Sequence, residues 1–292
     1  MWRKIEAGQR CHPPVSACAD LAVVPCSLPG QLFVGHADAA ATPAAQGISA
    51  IIALGTGNLS PLDDVLCIAI VDMEDAFLLP HLPACYAFLH ARLAAGSNVL
   101  VHCAYGQSRS AAICVAFLMQ LDNLRLPAAY AIVQAARPCI YINAGFLRQL
   151  ELFDGMECSL TGHSVAHATY RTMCAHEHKR NTYAVVLSPL ELAASGGAKC
   201  CCKKCNQLLC TTLNAVEHTH SSANAATLCD GLYVEPMPWM HLETQGEQGK
   251  ITCPRCKTKL GVFHWFGLKC SLGTFQQPAF QLARSRVDLR NV

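Results

Sequence analysis

A chain of 292 residues is long enough for about two domains. Its 22 basic against 20 acidic side chains create no field that would demand a nucleic-acid partner, and no sequence-specific nucleic-acid contact is predicted. Hydrophobic residues make up 52% of the chain, yet no uninterrupted apolar run reaches the roughly 18 residues of a membrane span, and no apolar stretch follows the basic start Met1–Glu6, so neither a span nor a secretory signal is expected.

Residues 1–27, rich in Pro and Cys, read as a loose leader. Gln31 to Gly35 predicts a short strand ended by glycine, Ala37 to Gln46 a short helix, and Gly47 to Leu54 a buried strand. Leu66 to Val71 is another apolar run. Phe77 to Ala95 has helical spacing, with Pro80 and Pro83 near its start and Gly96 closing it. Helices are also predicted at Leu126–Ala136 and Asn143–Met156. Alternating strands and helices over residues 28–156 predict an α/β domain with a mostly parallel sheet covered on both faces. Such sheets hold ligands beyond the carboxyl ends of central strands.

One stretch of that domain carries chemistry. The apolar run Val99-Leu100-Val101 leads into His102-Cys103, and five loop residues (Ala104, Tyr105, Gly106, Gln107 and Ser108) separate the cysteine from Arg109-Ser110. An apolar, helix-like segment follows to Met119. A strand, a tight loop and a helix N-terminus make an anion cradle of backbone amides. Amide dipoles and a guanidinium favour a thiolate in its floor, and the planar guanidinium can hold two phosphate oxygens at once. A proton donor is also needed, and the loop after an upstream strand supplies Asp72, with Glu74 and Asp75 as rivals.

His102-Cys103, the five-residue spacing and Arg109-Ser110 resemble the signature of the cysteine-dependent protein phosphatases, and Gly106 with Ser108 is similar to the dual-specificity branch. The resemblance implies that Cys103 is the nucleophile and that Arg109 with residues 104–108 binds the phosphate. It further implies that Asp72 is the general acid, that Ser110 assists the leaving sulfur, and that catalysis needs no cofactor. The loop carries no Lys or Arg for extra phosphates. Phosphoproteins are therefore the expected partners rather than phosphoinositides.

Residues 157–195 change character, with His163, His167, Cys174, His176 and His178 among small and polar residues, and read as a partly helical linker. Residues 196–290 are the second source of chemistry. Cys202-Lys-Lys-Cys205 and Cys253-Pro-Arg-Cys256 are two Cys-x-x-Cys knuckles, together the four-thiolate set that zinc prefers. Apolar runs at Leu208-Leu209, Leu232–Val234, Leu260–Phe263 and Pro278–Gln281 predict a small β domain built on that metal. Nineteen cysteines, an odd number with several in such pairs, argue for reducing conditions, hence cytoplasm and nucleus, over a disulfide scaffold.

Leu232–Met240, Cys253–Gly261, Phe263–Gly267, Pro278–Phe280 and Arg286–Asp288 resemble the dual-specificity protein phosphatase 12 family, which joins a phosphatase to a C-terminal zinc-binding domain. The resemblance implies further ligands at His218, Cys229 and Cys270. Where the family has Cys-x-Cys, this chain reads Cys270-Ser271-Leu272, so the second site is left with His220 or His264 as a substitute, with three ligands, or with none. A set of Cys202, Cys205, His218 and Cys229 ranks lower because it breaks the second knuckle. The resemblance also implies a second class of function, assembly of the large ribosomal subunit through the zinc domain, with pre-ribosomal particles as partners.

Overall fold

The computed structural model describes residues 18–55, 60–180, 197–216, 218, 229–242 and 246–290. The chain divides between Ser159 and Leu160 into two units.

In the first unit, strands β1 (Leu21–Val24), β2 (Leu32–His36), β3 (Ala50–Leu54), β4 (Val65–Ile68) and β5 (Val99–Cys103) form one sheet in the order β1-β2-β5-β3-β4. The last four in that order run parallel, while β1 pairs antiparallel with β2 at the edge. All five residues of β5 are buried, as are all five of β3. Continuous apolar strands of this kind belong in a parallel sheet covered on both faces. The covering helices are α1 (Leu82–Ala94), α2 (Arg109–Leu121), α3 (Leu126–Ala136) and α4 (Ala144–Gly155). Helix α2 is buried all round from Arg109 to Met119, which makes it a core helix rather than an amphipathic one. Pro83 lies in the first turn of α1, where its missing N–H costs nothing. Asn143 caps α4, its side-chain oxygen accepting from the Phe146 amide at 2.9 Å.

Two expectations need correction here. The leader is not loose throughout, because Leu21-Ala-Val-Val24 is β-prone and adds an edge strand to β2. The rest of the leader as far as residue 17 lies outside the described residues. The helix expected over Ala37–Gln46 is two 3-10 turns, Ala37–Ala40 and Pro43–Gln46, because Pro43 cannot continue the first.

The second unit contains helix α5 (Val165–Arg180) and small antiparallel sheets. Strands β8 (Gly231–Tyr233), β13 (Ala279–Ala283), β10 (Lys259–His264) and β9 (Gln248–Thr252) form one. Strands β14 (Val287–Arg290), β6 (Lys199–Cys202) and β7 (Leu208–Thr211) form another, and β11 (Leu268–Lys269) pairs with β12 (Phe275–Gln276). The core joins Trp239, Phe263, Trp265 and Phe280 to the sulfurs of Cys202 and Cys253. Ala175 of α5 belongs to the same core. Arg171 of α5 donates to both carboxylate oxygens of Glu235, at 2.6 and 2.9 Å, and Asn214 Nδ2 donates to the same carboxylate at 2.8 Å. The segment read as a linker therefore contributes a packed helix. Its contacts run through alanine and a buried ion pair, so no apolar period announced it. Among the described residues no helix is long and apolar enough to cross a membrane.

Candidate active site and metal centre

Strand β5 delivers Cys103 to its carboxyl end, and helix α2 begins at Arg109, so the five intervening residues close a tight loop between them. Gly106, at φ +65°, is needed twice over. It adopts a left-handed conformation, and a Cβ there would lie 2.6 Å from the carbonyl of Gly35 on the adjacent strand. Cys103 is buried, and its Sγ lies 3.3 Å from the hydroxyl of Ser110, the second residue of α2. Burial holds the His102 imidazole below its ordinary value, which favours a neutral structural ring beside the nucleophile.

Arg109 is oriented from behind. Its Nη1 donates to the carbonyls of Leu54 (3.2 Å) and Ile70 (3.3 Å), at the ends of two neighbouring strand segments. Gly55 makes this possible, because a Cβ there would collide with the guanidinium. The Arg109 Nε is buried and makes no hydrogen bond among the described residues; the nearest carboxylate oxygen, Asp72 Oδ2, is 3.7 Å away. Such an N–H suits an incoming anion.

Asp72 reaches the same loop. Its Oδ1 accepts from the Ser108 hydroxyl at 2.6 Å and from Asn143 Nδ2 at 2.7 Å. The rival Glu74 is instead paired with Arg148 at 2.9 Å. Ser108, expected to contact phosphate, has its hydroxyl committed to Asp72, and Gln107 donates its side-chain amide to the Cys139 carbonyl at 2.8 Å. Tyr105 stands exposed at the rim, while Ala104 is half-buried.

Two residues important to this geometry had no motif to mark them. Asn143 ties Asp72 and Ser108 together while capping α4; the only signal was an asparagine ahead of a helical run. Arg137, almost fully buried, donates Nε to the Gly106 carbonyl at 2.9 Å and also bonds the carbonyls of Tyr105 and Ala19. By holding the loop's carbonyls from behind it helps fix the peptide planes of the cradle. Its neighbour Cys139 is pushed up to about 11 by burial and by its hydrogen bond with Cys18. Cys114 is buried in α2, and burial followed by the Cys103 charge pushes its thiol well up, so it is a core residue.

In the second unit the two knuckles converge. Cys202, Cys205, Cys253 and Cys256 place their four sulfurs within 4.8 Å of one another. The Cys202–Cys256 and Cys205–Cys253 separations are 3.8 and 3.6 Å. Tetrahedral zinc with bonds of about 2.3 Å requires sulfurs about 3.8 Å apart, so this set fits that ion. The Thr258 hydroxyl and amide hold the Cys256 thiol down to about 6, as a thiolate ligand requires.

His218, Cys229 and Cys270 form a second grouping within the same limit. Leu272 offers only its amide, which donates to Cys270 Sγ at 3.3 Å. His264 is not part of the cluster, and His220 lies outside the described residues. Cys202 and Cys205 group with Cys253 and Cys256, so the alternative set that combined them with His218 and Cys229 is not formed. Of the linker histidines, His167 is buried against Ser164 (2.7 Å), and no metal grouping among the described residues includes Cys174 or His176. The side chain of His178 is outside the described residues.

Residues 32–155 match the family described as dual specificity phosphatase, catalytic domain. The chain is 31% identical to human dual specificity protein phosphatase 12 over 292 residues, covering 88% of this chain and 86% of the relative. The chain belongs to the dual specificity protein phosphatase 12 family. Another member, tyrosine-protein phosphatase yvh1 of Schizosaccharomyces pombe, is 30% identical over 243 residues, 79% of this chain and 73% of that one. The Yvh1 phosphatase domain from Chaetomium thermophilum covers 49% of this chain and 99% of its own at 28% identity and a TM-score of 0.43. By the family match, residues 32–155 are the catalytic domain of a dual specificity protein phosphatase. The family's catalytic-domain match begins at β2 and ends with α4, enclosing the cradle, Asp72, Arg137 and Asn143.

Proposed function

We propose that this phosphatase hydrolyses phosphoserine, phosphothreonine and phosphotyrosine in proteins through a cysteinyl-phosphate intermediate. The thiolate of Cys103 attacks phosphorus as the bond to the substrate oxygen breaks. Arg109 and the amides of residues 104–108 balance the charge on the equatorial oxygens. Asp72 gives its proton to the departing alkoxide or phenoxide, then takes one from the water that cleaves the sulfur–phosphorus bond. Ser110 donates to the sulfur as it leaves. The observation that carries this reading is the joining of Asp72 to the cradle through Ser108 and Asn143, which brings acid and nucleophile to one loop. Reduced thiols suit cytoplasm and nucleus. The test is a pH profile: the wild type gives a bell, and Asp72→Asn loses the alkaline limb on an aliphatic phosphoester. An unchanged alkaline limb would remove Asp72 from the mechanism.

Zinc held by Cys202, Cys205, Cys253 and Cys256 stabilises the second unit, which targets the enzyme. His218, Cys229 and Cys270 supply three donors for a second ion.

A second reading makes the second unit an assembly factor for the large ribosomal subunit, with catalysis secondary. Exposed Lys203, Lys204 and Arg255 on the knuckles suit a phosphate-rich particle. Complementation of a deletion strain separates the two readings. Rescue by Cys103→Ser with failure of Cys202→Ser/Cys205→Ser favours assembly, and the reverse favours catalysis.

A further inference from the structure

Large apolar side chains that stay exposed in the first unit are few, and they are not scattered. Among its described residues they are Val23, Val71, Met73, Tyr105 and Tyr141. Val23 lies on the edge strand; the other four belong to the cradle or to segments bonded to it. Val71 (62% exposed) and Met73 (58%) flank Asp72, whose carboxylate is bonded to Ser108 and Asn143. The loop is also held by the Ile70 carbonyl, which accepts from Arg109. Tyr105 (67%) belongs to the cradle, and the amide of Tyr141 (48%) donates to the Gln107 carbonyl at 3.0 Å. Tyr105 and Tyr141 are thus fixed to the phosphate loop directly, and Val71 and Met73 through their neighbours Ile70 and Asp72. Exposed apolar side chains concentrated around a concave site mark a binding surface.

The rim offers little basic charge that is not already paired or buried. Glu74 and Asp75 follow Met73 and are exposed, and residues 104–108 contain no cation. Arg148 is paired with Glu74, and the buried guanidiniums of Arg109 and Arg137 are turned to backbone carbonyls of the site. Over residues 1–159 acidic side chains outnumber basic ones. A substrate carrying further anionic groups would find no basic residue in the loop to receive them.

Building on the phosphatase reading above, we infer that Val71, Met73, Tyr105 and Tyr141 form an apolar collar that seats the residues flanking the phosphorylated side chain. The substrate class is a phosphoprotein segment with large apolar or aromatic neighbours. Acidic phosphosites and polyphosphorylated small molecules are disfavoured. Apolar contact supplies affinity, while a phosphate loop without Lys or Arg gives acidic flanks nothing to pair with.

The test uses the full-length protein and phosphotyrosine peptides differing only in the two residues on each side: Leu/Phe, Ser or Glu. Leu/Phe flanks should give kcat/KM about tenfold above Ser flanks, carried by KM, and Glu flanks should fall below Ser. The variant Val71→Ser/Met73→Ser should shrink the Leu/Phe-to-Ser ratio to about twofold. Tyr141→Ser provides an independent variant from another segment, with the same direction expected. Orthovanadate inhibition, which probes the cradle without reaching the collar, should stay unchanged in both. Equal kcat/KM for Leu/Phe and Ser flanks overturns the collar, as does a ratio unmoved by both variants, or faster turnover of inositol hexakisphosphate. Turnover that persists in Cys103→Ser, or is absent on every substrate, overturns the phosphatase reading and the collar with it.

Discussion

In the first unit Cys103 closes a strand of five buried residues, inside a sheet covered by helices, whereas in the second unit Cys202 and Cys253 are themselves part of the core. Cys103 depends on β5 and α2 for its place, and those elements are held by hydrocarbon: α2 is buried along eleven successive residues. The second unit divides its strands among sheets of four, three and two, too small to bury much apolar surface each, and packs Cys202 and Cys253 beside Trp265 and Phe280. The contrast teaches that one cysteine takes its place from a fold held by hydrocarbon, while four others are packed into or against the core of theirs.

The largest effect that separates the two should come from the sulfurs. Cys103→Ser should lower turnover by more than about a thousandfold with no change in thermal unfolding, because the nucleophile contributes little packing beyond its size. Cys202→Ser/Cys205→Ser, or chelation, should do the opposite. The emission of Trp239 and Trp265, both buried in the second unit, should shift to the exposed range while hydrolysis of a small aryl phosphate continues. Simultaneous loss of both signals would show that the units do not stand apart.

Next in size are the residues that position the site. Arg137→Ala should raise the orthovanadate inhibition constant by about tenfold or more, since the carbonyls of Gly106 and Tyr105 lose their common donor. Asn143→Ala removes the amide that holds Asp72. It should lower kcat by about tenfold with little change in KM, and should cost α4 about 1 kcal/mol through loss of its cap. In the second unit Glu235→Ala leaves Arg171 without its carboxylate partner and should lower stability by about 3 kcal/mol, read from the tryptophan transition, without touching kcat.

A smaller effect is the acid limit of the metal centre. Thr258 favours the thiolate form of Cys256, so losing its hydroxyl makes protons better competitors for this sulfur. Acid-driven zinc release, followed with a chromophoric chelator, should therefore begin at higher pH in Thr258→Val than in the wild type.

The parts legible in the sequence were those whose information is local. The strand before Cys103, the loop and the apolar helix after it occupy consecutive residues, and the two knuckles each carry their spacing within four. Asp72 was legible from chain order, after an apolar run and ahead of a helix. Arg137 and Asn143 were not, since their partners at Gly106 and Asp72 stand 31 and 71 positions away. Strand β1 was hidden by its four-residue length in a Pro- and Cys-rich stretch; some helix was expected where α5 lies, but its packing was hidden by a surface of alanine and charge without an apolar stripe. Ser108 and Gln107 were read as substrate-binding through their loop amides. Their side chains turn elsewhere, one hydroxyl to Asp72 and one amide to Cys139, directions that adjacency to a motif does not fix.

The covalent intermediate can be sought directly. Rapid acid quench of the enzyme turning over a phosphotyrosine peptide, followed by mass spectrometry of the fragment containing Cys103, should find a phosphoryl adduct on that sulfur, absent in Cys103→Ser. An adduct on any other residue, or undiminished turnover by Cys103→Ser, would contradict the assignment of the nucleophile.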